Sequence, residues 1–172
     1  AGVYVEATEF KVYDEAASET VAEFVSDGAC NLYHNNVKRF YTVSDGASVR
    51  GGEGEEARLY LEADEGDDNA DIWRIEADTS GSLNIHNYAS GSYEKSIACA
   101  GNGGVDLYHN NALQCKTVDG GLNFADGKRG YFGDSSDLQI WHDGSHNTIQ
   151  STNGRIYVNG IGRVQLQTGD GS

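Results

Sequence analysis

The pentapeptide Leu32-Tyr33-His34-Asn35-Asn36 returns 75 positions later as Leu107-Tyr108-His109-Asn110-Asn111. The echo runs on through Thr42-Val43 and Thr117-Val118, to Asp45-Gly46 and Asp119-Gly120. A looser third version, Ile140-Trp141-His142-Asp143-Gly144, follows the second by 33 positions. An apolar residue, a large aromatic, a histidine and a turn pair describe a strand entering a tight hairpin. Asn-Asn and Asp-Gly accept the positive φ angles such turns need. Each hairpin owns only a few apolar side chains, too few to offset its own chain entropy. Units of this kind must stack on neighbours or associate with identical chains.

Alternation along the strands predicts which residues share a face. A three-residue turn at Asn35-Asn36-Val37 sets Cys30, Leu32, Phe40 and Thr42 together. The same turn in the second copy aligns Val105, Leu107, Leu113 and Cys115, and a two-residue turn breaks that agreement. In the third hairpin Asp143-Gly144 favours a two-residue turn, which gathers Leu138, Ile140 and Ile149. Further strands are expected at Val3–Glu6, Phe10–Asp14, Ala57–Ala63, Ile72–Ala77, Leu83–Tyr88 and Tyr93–Ile97. Gly121–Phe124, Tyr131–Gly133, Arg155–Val158 and Val164–Gln167 complete the set. Residues Ala16 to Val25 have some helical propensity but read better as a strand entering Asp27-Gly28, an edge able to pair with a neighbouring subunit.

The expected fold class is all-β: repeated short β-hairpins in an elongated, trimeric fibre-type or stacked β architecture. Five segments follow: an N-terminal strand segment (1–28), the first hairpin and connector (29–56), a middle β unit with an acidic loop (57–98), the second hairpin (99–129) and a C-terminal β unit (130–172).

Composition narrows the partners. Twenty-three glycines and no proline suit many short strands and turns, and a net charge of −15 argues against nucleic acid, which requires clustered Lys and Arg. No apolar run approaches the length of a membrane helix, so no membrane insertion is expected. The absence of methionine leads us to expect that Ala1 follows processing, a boundary or an incomplete chain. Cys30, Cys99 and Cys115 are an odd set, read as buried free thiols, with a Cys99–Cys115 bridge left open.

Candidate sites compete with plainer readings. His34, His109 and His142 occupy equivalent hairpin positions and could meet as metal ligands across a three-fold axis, but capping or packing a turn is favoured. Asp67, Asn69 and Asp71 begin like a calcium loop. Ile72 then stands where the sharp-turn glycine belongs, so a solvated acidic loop is favoured. Tyr33, Tyr108 and Trp141 could stack on sugars, yet suit cross-strand packing better. No nucleophile elbow, activated cysteine or phosphate-cradling loop is present, so neither catalysis nor a cofactor is expected.

Taken together, the Leu-Tyr-His-Asn-Asn hairpins, the block Asp67-Asp68-Asn69-Ala70-Asp71-Ile72-Trp73-Arg74-Ile75, Asn87-Tyr88-Ala89-Ser90-Gly91-Ser92, and Gly133 to Ser145 resemble phage tail-fibre and virion-fibre repeat proteins, a type common in phages of aquatic bacteria. The resemblance covers roughly Val21 to Gly160. It implies a virion-borne or extracellular, usually trimeric, β-rich fibre that supports attachment to a host surface, and it carries no active-site set. The expected partner is the chain itself, as a homotrimer or helical polymer, with a host-surface glycan as a further candidate. The alternatives are a filament subunit joined head-to-tail by strand exchange and a carbohydrate-binding fibre module.

Overall fold

The computed structural model describes residues 4–165. Its strands form three antiparallel sheets. The first contains β1 (Glu9–Tyr13), β2 (Thr20–Val25), β3 (Cys30–His34), β4 (Val37–Val43) and β5 (Gly46–Val49), ordered as in the sequence. The second runs β6 (Ala57–Glu62), β7 (Ile72–Ala77), β8 (Ser82–Asn87), β9 (Glu94–Ala100), β10 (Val105–His109), β11 (Ala112–Val118) and β12 (Gly121–Phe124). The third pairs β13 (Arg129–Phe132), β14 (Leu138–His142) and β15 (Asn147–Ser151). By backbone proximity the chain divides into two compact units, Ala1–Gly121 and Leu122–Ser172. The all-β class is therefore correct. The first two segments of the sequence reading share one sheet, and the middle β unit shares another with the second hairpin.

The meander follows from local chemistry. Asn35 and Asn36 have φ of 51° and 58°, and Asn110 and Asn111 have 48° and 58°. Both residues of each pair thus occupy the left-handed region that a two-residue hairpin turn of matching twist demands. Here the three-residue expectation fails, since His34 pairs with Val37 and His109 with Ala112. One strand bulge then skips Arg39 and another skips Gln114, so Leu32 still faces Phe40 and Leu107 still faces Cys115. The pairing of Leu32 with Phe40 and of Leu107 with Cys115 survives because a bulge supplies the odd residue that was assigned to the turn, but Leu113, expected beside Leu107, pairs instead with Tyr108.

The Asp143 hairpin differs in the other direction. His142 pairs with Asn147, leaving four residues in the loop, and the Asp143 carboxylate accepts from the Ser145 and His146 N–H groups at 2.8 and 2.7 Å. This displaces the expected register by two positions, which preserves the faces. Ile140 lies opposite Ile149, with Leu138 on the same side.

The 75-residue spacing extends beyond the hairpin. Strands β3, β4 and β5 coincide residue for residue with β10, β11 and β12 after that displacement, and β2 falls within β9. Residues Arg155–Val158 form no strand, a correction to the sequence reading. Tyr4, Val5, Glu6, Val164 and Gln165 are likewise outside any strand, while Val3, Leu166 and Gln167 lie outside the described residues.

Candidate functional site

Residues directly opposite one another in a ladder project to the same side, so the registers sort each sheet into two faces. In the first sheet one face contains Phe10, Val12, Ala22, Phe24, Leu32 and Phe40. In the second, Leu59, Ile75, Ile85, Ile97, Leu107 and Cys115 form one unbroken apolar row across six strands. Neither row contains a charge.

Burial is the reverse of an ordinary domain's. Among the described residues, the buried hydrophobics are Ala22 and Cys115, whereas Asn31, Glu76, Asn84, His86 and Gln139 are buried polar residues. Leu32 is 46% exposed, Phe40 41%, Leu59 45% and Leu107 42%. The apolar faces are open, and the polar faces are covered by their own long side chains.

On the first sheet's polar face, Glu23 accepts hydrogen bonds from Asn31 Nδ2 at 2.7 Å and Tyr33 Oη at 3.0 Å, and Lys11 Nζ lies 3.0 Å away. The Lys11 contact, then Asn31 and Tyr33, hold the Glu23 carboxyl down at about 2. On the second sheet, Arg58 Nε donates to Glu76 Oε2 at 2.7 Å, and Arg74 Nη2 approaches the same oxygen at 3.2 Å. Burial pushes the Glu76 carboxyl up, but the Arg58 hydrogen bond and the Arg74 charge outweigh it and leave it lowered. His86 Nε2 is 3.5 Å from Glu76 Oε1. Burial first, then Arg74, lowers the His86 pKa, so its ring is neutral at pH 7. Arg74 also stacks on Tyr93, 3.9 Å from its ring centre.

The repeat residues have local roles. Asn36 Oδ1 accepts from the Thr20 N–H at 2.8 Å, and Asn111 Oδ1 accepts from the Lys95 N–H at 2.7 Å. Each second asparagine therefore ties its turn to the neighbouring strand. Asn35 and Asn110 supply the preceding left-handed residue. Lys38 lies over Tyr33 and Lys95 over Tyr108, both at 5.9 Å, and Arg129 lies 4.2 Å from the Trp141 ring centre. The three aromatics are half-buried on polar faces instead of exposed. His34 and His109 are exposed, and His142 Nδ1 sits 3.1 Å from Asn147 Oδ1. Asp143 caps its loop, and Gly144 has φ of 96° there.

In the acidic loop, the carboxylates of Asp67, Asp68 and Asp71 approach within 4.8 Å of one another. Asp68, which the sequence reading left out, thus joins Asp67 and Asp71 in the cluster. All three cysteines are free; Cys115 is buried, Cys99 half-buried and Cys30 exposed. The expectation of burial therefore fails at Cys30, because the chain leaves that face uncovered. Strand β10 separates Cys99 from Cys115, and two strand spacings of about 4.8 Å each exceed disulfide reach.

The sequence reading missed the Arg58–Glu76–Arg74–His86 cluster and the Glu23 anchor. Their signal was present: charged and polar residues recur at alternate positions in Arg58-Leu59-Tyr60, Arg74-Ile75-Glu76 and Asn84-Ile85-His86. Comparison with known proteins finds no matching family model, curated protein or solved structure.

Proposed function

We propose that the chain is a non-enzymatic, self-associating segment of a phage or virus fibre, a tail fibre or similar appendage carried on a virion or displayed outside the cell. Its work is mechanical, supporting host-surface attachment by holding a recognition end away from the particle. The observation that carries this reading is the inverted burial: charge-free apolar rows with Leu32, Phe40, Leu59 and Leu107 all more than 40% exposed. Apolar surface of that extent marks an interaction face, and the repeats make a copy of the same chain the natural cover. Sedimentation velocity at micromolar concentration should give a discrete trimer. A stable monomer over that range overturns the proposal.

The filament alternative draws support from β1, the outermost strand of the first sheet, whose outer edge is unpaired within the described residues. It predicts open polymers that lengthen with concentration and vanish when residues 1–25 are deleted. The glycan-binding alternative gains nothing from Tyr33, Tyr108 or Trp141, whose rings are attended by Lys38, Lys95 and Arg129.

A further inference from the structure

We infer that copies of the chain meet with the first sheet of one laid on the second sheet of the next, knob into pit, along one matched row of side chains. The inference rests on the self-association proposed above and adds which faces meet and in what alignment. The row in the first sheet runs Val12, Ala22, Leu32, Phe40. Its counterpart in the second runs Ile85, Ile97, Leu107, Cys115. Two positions are conservative, Val12 against Ile85 and Leu32 against Leu107. At the other two, size is exchanged: Ala22 stands where the second sheet has Ile97, and Phe40 where it has Cys115.

Burial gives this exchange a shape. Ala22 and Cys115 are at 8% and 9% exposure in faces whose other large side chains are half-buried or open. Each is small and shaded by its neighbours, so each is a pit. The equivalent position on the other sheet carries a larger side chain, Ile97 or the 41%-exposed Phe40. When the sheets face each other with strands antiparallel and a local two-fold axis along the row, each residue meets its equivalent. Phe40 then enters the Cys115 pit and Ile97 covers Ala22, the interlocking of large and small that gives packed sheets their interior density.

The occupant is a second copy and not the chain's own other sheet, because Leu32, Phe40 and Leu107 are all open within the Ala1–Gly121 unit. The extent of surface agrees. Phe10, Val12, Phe24, Leu32 and Phe40 are 38–46% exposed, and side chains of this size leave roughly 400 Å² open on such a face. A similar area on the second sheet brings one contact to about 800 Å² in total, the low end for a specific interface, and each copy in a ring or array makes two such contacts. Neither row contains a charge, so the chain's net −15 stays off the contact. The contact joins unlike faces, and it closes into a ring, a trimer among them, or propagates if the rotation does not close.

Cross-linking tests the pairing. In a Cys30→Ser, Cys99→Ser background, Phe40→Cys should be joined to the native Cys115 of a neighbouring chain by a short bis-maleimide linker able to span the roughly 10 Å between packed sheets, the link identified by peptide mass mapping. Separately, Cys115→Phe fills the pit and should weaken assembly at least tenfold by sedimentation, and adding Phe40→Cys should restore it. Links between position 40 and position 40, or assembly indifferent to Cys115→Phe, overturn the face pairing and leave self-association standing. A wild-type chain that stays monomeric overturns both.

Discussion

The first sheet and strands β8–β12 share a backbone plan but fill their polar faces differently. In the first sheet a cross-strand row runs Lys11, Glu23, Asn31, Tyr41, with the central carboxylate held by donors on both sides. The corresponding row in the second reads Asn84, Ala98, Asp106, Lys116. Its carboxylate has moved off the centre, and Ala98 lines a groove of about 500 Å³. Charge is concentrated further along, where Glu76 gathers Arg58 and Arg74. What the two regions share is the turn and the bulge. The hairpin geometry is set by backbone chemistry, and the polar row above it is free to vary: its carboxylates are held by donors, while Asn31 Oδ1 and Asn84 Oδ1 are buried without a partner.

The largest expected effect comes from removing that partner in the second sheet. Glu76→Ala leaves two guanidinium groups without their carboxylate, and should lower unfolding free energy by about 3 kcal/mol in urea titration at fixed protein concentration. Next are the turns. Asn36→Ala and Asn111→Ala each lose a hydrogen bond to the adjacent strand and a tolerated left-handed conformation, for about 2 kcal/mol apiece. Equal losses would show that the two copies are energetically equivalent, and a marked inequality would break the comparison.

A pH series separates the two sheets. The Glu23 carboxyl, held at about 2 against an ordinary 4.5, contributes stability that is full above 4.5 and lost as pH falls towards 2. His86 is also depressed, because burial disfavours its charged form. The unfolded chain therefore takes up that proton first, and stability falls as pH drops through the ordinary histidine range near 6.5. Glu23→Gln should shrink the lower phase, leaving the part due to Asp78, also held at about 2, and Glu76, while His86→Gln should remove the upper phase, read as unfolding midpoints across pH. The smallest effect is expected from Ala98→Glu, which copies the first sheet's residue into a site flanked by the acceptor Asp106 instead of the donor Asn31. It should destabilise by roughly 1 kcal/mol or less.

Much of the fold was legible because its signals are local. Asn-Asn pairs mark the place of a turn, and period-two alternation reports faces, so the grouping of Leu32 with Phe40 and of Ile140 with Ile149 could be read from the chain. Turn length was not legible. A three-residue turn and a two-residue turn followed by a bulge give the same pairing at Leu32 and Phe40, and only the positive φ at both asparagines distinguishes them. The metal candidates left out Asp68 for a related reason, since alternate spacing along the chain does not show that its carboxylate comes within 4.8 Å of those of Asp67 and Asp71.

By itself the sequence determined the strand alternation, the repeated turns and the scarcity of apolar material in any one hairpin, all of which depend on neighbours along the chain. Tertiary structure alone decided which of the two faces is covered. Arg58, Arg74 and Tyr93 fold over the polar face and pair its charges, whereas the apolar side chains, with no second layer above them among the described residues, remain half-buried or open. That outcome depends on how far long polar side chains reach across strands, a distance that residue order does not contain.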